Sequence, residues 1–213
     1  MARKKLTDAQ YTHRREEILD AAMEVFETQG GLNAVSFRNV AAVAGCSYSA
    51  PYRYFTSKED LLNALRARAF RWIEAEMKAA IKGKRRATTK LEALARAYIQ
   101  GGVDRPNRYA LMFFDMDNTE IAKHSLELKT AKRDALDVCT QTIAQGQLAG
   151  EMADRLDALT AAHLFWISAH GLVSLNVAGQ LVMGRTLDEL VQPLLQILNL
   201  HLATEPQENR KAS

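Results

Sequence analysis

The chain lacks strand-forming sequence. No run alternates Val, Ile or Thr with polar residues between hairpin turns, which excludes a sheet protein. Cysteine is nearly absent. Cys46 and Cys139 make neither a disulfide framework nor a zinc set, and they fit a reducing cytoplasm. Four prolines and 11 glycines in 213 residues leave long stretches uninterrupted. There is no Gly-rich phosphate loop, catalytic serine motif or HExxH, so an enzyme would lack its machinery. No catalytic residue, cofactor or metal site is expected. No N-terminal apolar segment of the secretory kind occurs, so no secretion is expected. What is present is 47% hydrophobic residues in a length sufficient for one or two helical domains.

A net charge of +3 is too small to imply nucleic acid by itself, but its distribution is uneven. Residues 61–90 carry nine basic residues against two acidic ones, while residues 91–213 carry an acidic excess. The basic block adjoins the segment described next and acts as a steering field. Arg3, Lys4 and Lys5 form a separate arm in residues 1–10. That arm either lies along a phosphate backbone or is plain disorder.

The organising stretch is SFRNVAAVAGCSYSAPYRYFTSKEDLL, Ser36 to Leu62. Phe37, Val40, Ala41 and Ala44 have helical spacing, and Gly45 ends that helix with a left-handed residue. Ser47 can cap a second helix, Tyr48 to Tyr54, with Ala41 small where the two would cross. This is the sequence form of a helix-turn-helix, whose second helix enters the DNA major groove. Tyr48, Ser49, Tyr52, Arg53 and Tyr54 supply hydroxyl and guanidinium donors in a segment without a carboxylate. Half-buried packing tyrosines are the alternative use of the same residues. Lys58 stands at the next helix start, where a helix N-terminus and a lysine suit a phosphate. Ser57 with Asp60, or Thr56 with Glu59, has capping-box spacing.

So short a reading helix needs braces. One is the helix Thr12 to Gln29, with Ile18, Leu19, Ala22, Val25 and Phe26 on one face and Gly30-Gly31 at its end. The other is Lys58 to Ile81. From Arg14 to Leu65 the chain resembles the DNA-binding domain of TetR-type transcriptional repressors. The matching residues are RREEILDAAMEVFETQG, VSFRNVAAVAGCSYSAPYRYF and TSKEDLL. Pro51 departs from the family's usual aliphatic residue, and its strain falls on the first turn, at Ser47. The Ala-Pro-Tyr order resembles a subgroup whose C-terminal domain carries Trp-x-x-x-His-Gly, present here as Trp166, His170 and Gly171.

Beyond a polar loop at Lys82 to Thr89, a helix is expected from Leu91 to Gln100, ended by Gly101 and Gly102. Pro106 opens a short helix, followed by a long one capped at Asn118 or Thr119 and reaching about Ala144, with Gly146 and Gly150 at its end. Ala158 to Gly184 contains no charge. Its length suits a bilayer, but His163, His170, Asn176 and Gln180 interrupt it, and a helix buried between subunits is the preferred reading. Thr186 to Leu202 supplies the last helix, with Pro193 inside it.

The expected fold is all-α: a three-helix helix-turn-helix domain followed by a helical ligand-binding and dimerisation domain. The expected divisions are 1–56, a connecting helix 57–81, 82–203, and a disordered tail 204–213. The resemblance implies a cytoplasmic homodimer through the last two helices, binding double-stranded operator DNA and released by a small-molecule effector, with no membrane partner. DNA-contact candidates are Ser36, Arg38, Tyr48, Ser49, Ala50, Tyr52, Arg53, Tyr54 and Lys58. Effector candidates are Met112, Phe113, Met116, Phe165, Trp166 and His170, which are large and apolar with one polar handle; the alternative for them is core packing. Whether the Trp-x-x-x-His-Gly motif touches ligand or is structural stays open. So do two other functions: a DNA-binding interaction protein of this fold without an effector, and a helical-bundle enzyme.

Overall fold

The computed structural model describes residues 7–113 and 125–202. Among these residues there are nine α-helices, one 3-10 turn and no strand. The described residues within Met1–Ala69 and Ala110–Ala131 form one compact unit, and those within Phe70–Tyr109 and Lys132–Ser213 form another. Of the expected arm at residues 1–10, residues 7–10 instead form the cap and start of the first helix; residues 1–6, the cap at Asn118 or Thr119, Met116 and the tail lie outside the described residues.

In the first unit, α1 (Asp8–Thr28) starts four residues before the expected Thr12. The cause is local. Thr7 Oγ1 accepts from the Gln10 amide at 3.3 Å, and the Gln10 side chain accepts from the Thr7 amide at 3.0 Å, a complete capping box. Ile18, Leu19, Ala22, Val25 and Phe26 are buried, as their spacing predicts. Gly30 and Gly31 both take positive φ, 117° and 68°, and turn the chain into α2 (Gly31–Ala34). Ser36 then caps α3 (Phe37–Val43), which packs on α1. After the 3-10 turn Pro51–Arg53, α4 (Lys58–Ile81) begins where expected. Ser57 Oγ accepts from the Asp60 amide at 3.1 Å, while Asp60 reaches back to the Thr56 amide at 2.8 Å. Of the two predicted pairs, Ser57 with Asp60 forms, and Asp60 rather than Glu59 meets Thr56.

In the second unit, α5 (Ala87–Asp104) is longer than expected at both ends. It takes in part of the expected loop and runs through Gly101 and Gly102. Those glycines do not stop the helix; they let neighbours approach it. A Cβ on Gly102 would stand 2.6 Å from Val173 Cγ1, and one on Gly101 2.8 Å from Ile73 Cδ1. The short helix α6 (Pro106–Phe113) begins at Pro106 as predicted. α7 (Leu126–Leu148) passes the expected end at Ala144 for the same reason: a Cβ on Gly146 would meet Ala87 Cβ at 2.7 Å. Gly150, at φ 68°, follows its actual end.

α8 (Ala158–Val177) is capped by Asp157, whose carboxylate accepts from the Thr160 amide at 3.0 Å. It packs against α5 and α9, and Ala161, Ala162, Phe165, Ala169 and Val173 are its buried residues. Among the described residues it is the one helix long and apolar enough to cross a membrane, yet it is built into this unit. α9 (Leu187–Leu202) carries Pro193 internally and packs on α8 and α5.

Candidate nucleic-acid interface and effector site

The reading segment begins with a Schellman closure. The Cys46 amide bonds the Ala41 carbonyl at 3.0 Å and the Gly45 amide the Ala42 carbonyl at 3.3 Å, with Gly45 at φ 59°. The expected α-helix Tyr48 to Tyr54 does not form. In its place are turns and the three-residue 3-10 helix Pro51–Arg53. In an α-helix the Ser47 carbonyl would accept from residue 51, but proline has no N–H. The Ala50 amide takes that carbonyl at 2.8 Å, and the Arg53 amide takes the Ala50 carbonyl at 3.1 Å. These i to i+3 bonds are those of a 3-10 helix. Ser47 is also not the expected side-chain cap: its hydroxyl lies 3.4 Å from that of Ser49.

Pro51 is buried, and four side chains of this segment face solvent: Tyr48, Ser49, Tyr52 and Arg53. Tyr48 is 59% exposed and Tyr52 48% exposed. Their hydroxyls are 3.1 Å apart, and the Tyr52 ring rests on Phe37 at 4.1 Å. The hydrogen bond from Tyr48 pushes the Tyr52 phenol above its usual range. Ser49 and Arg53 are exposed, Ala50 and Tyr54 half-buried. Lys58 and Arg38 are exposed in the first turns of α4 and α3. Ser36 already accepts from the Asn39 amide at 3.2 Å.

A cleft of about 480 Å³ separates the start of α1 from the reading segment and is lined by Arg14, Arg53, His13 and Ser47 without a carboxylate. Arg14 pairs with Glu17 at 2.6 Å, which holds that carboxyl below the usual carboxylate range. Tyr11, from the same turn of α1, reaches the Arg53 carbonyl. Sequence reasoning missed the start of α1; the signal was a Tyr and two basic residues on the first turns of a brace helix.

In the second unit, three helices converge on the Trp-x-x-x-His-Gly motif. The Trp166 indole N–H donates to the Tyr98 hydroxyl at 3.2 Å, and that hydroxyl donates to Tyr109 at 3.4 Å. Tyr109 lies 2.6 Å from His170 Nδ1, and His170 Nε2 lies 3.3 Å from the Ser174 hydroxyl. Trp166 and His170 stack at 5.4 Å, as their spacing of four predicts. Burial raises both phenols and lowers the imidazole, so the cluster is neutral near pH 7. It ties α5, α6 and α8 through neutral hydrogen bonds. Tyr98 and Tyr109 were not among the candidates, although each is a tyrosine on the apolar face of a helix, where its hydroxyl needs a partner.

Phe165 is buried beside this motif, and Trp166 and His170 are half-buried. Met112 is buried and Phe113 half-buried, both in the first unit.

A short capped helix, a Schellman turn, an exposed Tyr/Arg segment and a bracing helix on each side define a helix-turn-helix DNA-binding regulator. Residues 18–65 match the family model for bacterial regulatory proteins of the tetR family, and residues 91–198 match the tetracyclin repressor-like C-terminal domain. The chain belongs to the TetR family of transcriptional regulators, which are not enzymes. No curated protein matches it.

Several solved structures share the fold. A protein of unknown function from Rhodococcus sp. RHA1 is 26% identical, with TM-score 0.76, over 90% of this chain and 96% of that one. The transcriptional regulator FadR from Bacillus subtilis, solved in complex with stearoyl-CoA, is 22% identical, with TM-score 0.69, over 88% and 98%. The fatty acid degradation regulator FadR from Bacillus halodurans is 21% identical, with TM-score 0.68, over 86% and 96%.

Proposed function

We propose that this regulator is a cytoplasmic repressor that binds a palindromic operator as a homodimer and is released by an apolar small molecule. The observation that carries the DNA-reading part is the set of exposed side chains Tyr48, Ser49, Tyr52 and Arg53 on a helix-turn-helix scaffold, with Arg38 and Lys58 also exposed. Tyr48, Ser49 and Arg53 read bases; Arg38, Tyr52 and Lys58 hold phosphates. Residues 1–56 are the reading domain, 57–81 the connection, and 82–203 the effector and dimerisation domain, with 204–213 a tail.

Ligand contact in the second unit falls to Phe165 and Trp166. Tyr98, Tyr109 and His170 are the frame that holds Trp166, which supports a structural role for the histidine. The stearoyl-CoA bound by a protein of the same fold makes long-chain acyl-CoA thioesters the first compounds to test. A ligand that weakens DNA binding a hundredfold must prefer the non-binding state by about 2.7 kcal/mol, and operator DNA must weaken that ligand by the same factor.

The test selects duplexes from a random library with the wild-type protein, then footprints them with and without acyl-CoA. The expected result is a two-fold symmetric site with half-sites roughly 34–36 Å apart, or a multiple, lost on ligand addition. An asymmetric site held by a single copy would refute the dimeric reading. Unchanged footprints across acyl chain lengths would remove this ligand class.

A further inference from the structure

The reading segment cannot hold its own shape. It has three residues of 3-10 helix, far below the length at which a helix stands alone in water. Its N-terminal end is fixed by the Schellman closure after α3. Its C-terminal end is fixed from α1. The Tyr11 hydroxyl donates to the Arg53 carbonyl at 3.3 Å, and its ring lies 4.8 Å from that of Tyr54. One turn further along α1, the Arg15 guanidinium lies over the Phe55 ring at 4.9 Å. Residues 53, 54 and 55 are thus each held by one face of α1.

The two holders differ. Phe55 is buried and Arg15 is also paired with Glu127 at 2.6 Å, so that contact belongs to the core of the unit. Tyr11 is 41% exposed and lies at the surface of the unit. Its directed contacts are with the backbone of Arg53 and the ring of Tyr54, beside the cleft lined by Arg14 and Arg53.

We infer that Tyr11 is a positioning residue for base reading: it sets the orientation of the Arg53 to Tyr54 end of the reading segment without itself contacting a base. Orienting contacts of this kind affect specific binding, which needs the geometry. They leave unspecific binding, which is electrostatic, unchanged. The inference rests on the DNA-reading role, and selection of a duplex by the wild-type protein tests that role before any variant is made.

The probes are the selected duplex, the same duplex with single changes in one half-site, and a duplex of random sequence. Proteins are wild type, Tyr11→Phe and Tyr11→Ala, with affinities measured by fluorescence anisotropy over a range of salt. Tyr11→Ala should bind the selected duplex about tenfold more weakly, and Tyr11→Phe about threefold, as expected for a lost aromatic contact and a lost hydrogen bond. Affinity for the random duplex and the salt slope should be unchanged, and the penalty for half-site changes should shrink. Unchanged affinity of Tyr11→Ala for the selected duplex would overturn the inference. So would an equal loss on both duplexes with a salt slope lower by about one unit, which is the signature of a phosphate contact. If thermal melting shows Tyr11→Ala to be unfolded, the Phe variant, which keeps the ring, decides by the same criteria.

Discussion

His170 shows how much a single side chain's surroundings decide. Its ring stacks on Trp166, bonds Tyr109 and Ser174, and is half-buried. Burial lowers its pKa below the usual value of about 6.5. The unfolded chain therefore takes up the proton first as pH falls. Stability from the neutral ring is fully present above about pH 6.5 and is lost as pH falls through the folded-state pKa. Thermal melts between pH 7.5 and 5.5 should show wild type losing more stability than His170→Gln, which cannot titrate but keeps a polar end. Parallel pH profiles for the two proteins would mean that the imidazole is not held neutral by the fold. Pro51 is a second case at this scale. One missing N–H turns an expected α-helix into a 3-10 turn, and the effect is readable from the residue alone once the hydrogen-bond partner of Ser47 is traced.

Among the elements, α5 sets two meanings of glycine against each other. Within a helix, each glycine costs about 0.5–1 kcal/mol relative to alanine. Gly101 and Gly102 persist because of what packs on them. At Gly101 an added Cβ meets Ile73 Cδ1 and the Trp72 ring, the far ends of side chains that can shift. At Gly102 it meets Val173 Cγ1 at 2.6 Å and Tyr109 Cδ2 at 2.9 Å. Val173 is β-branched and stiff, and Tyr109 is held by its hydrogen bond to His170. Gly102→Ala should destabilise by about 1–3 kcal/mol despite the better helix propensity, and Gly101→Ala by less. Denaturant unfolding of both variants checks this; a Gly102→Ala protein as stable as wild type would mean that α5 and α8 slide apart freely.

The same helix explains what could be read from sequence. α3, the Gly45 turn and the start of α4 were legible because their signals are local: the Phe37 to Ala44 spacing, Gly45 and Ser57 each act within a few residues, although the capping role of Ser36 was not read. The paired glycines of α5 carry the local pattern of a stop, while the Val173 and Tyr109 surfaces that overrule it lie elsewhere in the chain. Tyr98 and Tyr109 were hidden for a related reason. Their partner His170 is 72 and 61 residues away, and nothing in single-chain spacing joins them.

For the whole molecule, the unanswered burial on α8 points outward. Its inner face supplies Phe165, Ala169 and Val173 to the second unit, but Leu164, Ile167 and Leu175 are about half exposed. They recur at helical spacing with Gly171, where an added Cβ would meet nothing within 4 Å. On α9, Ile197 is similarly exposed. Only 33% of the most apolar stretch of α8 is buried, too little for a core helix of a lone chain. An apolar stripe continuous over three turns, bordered by a second helix, suits self-association in a four-helix arrangement. Ile167→Glu places a charge in that stripe without touching the buried face of α8. It should turn a dimer into a monomer by sedimentation velocity, with the helical circular dichroism kept. Joining two reading heads makes the second half-site contact intramolecular, which raises avidity by about 10²–10⁴-fold. The variant should therefore lose operator affinity by a comparable factor, while each head still binds random DNA as before. A dimeric Ile167→Glu protein with undiminished operator binding would show that this stripe is not where two copies meet.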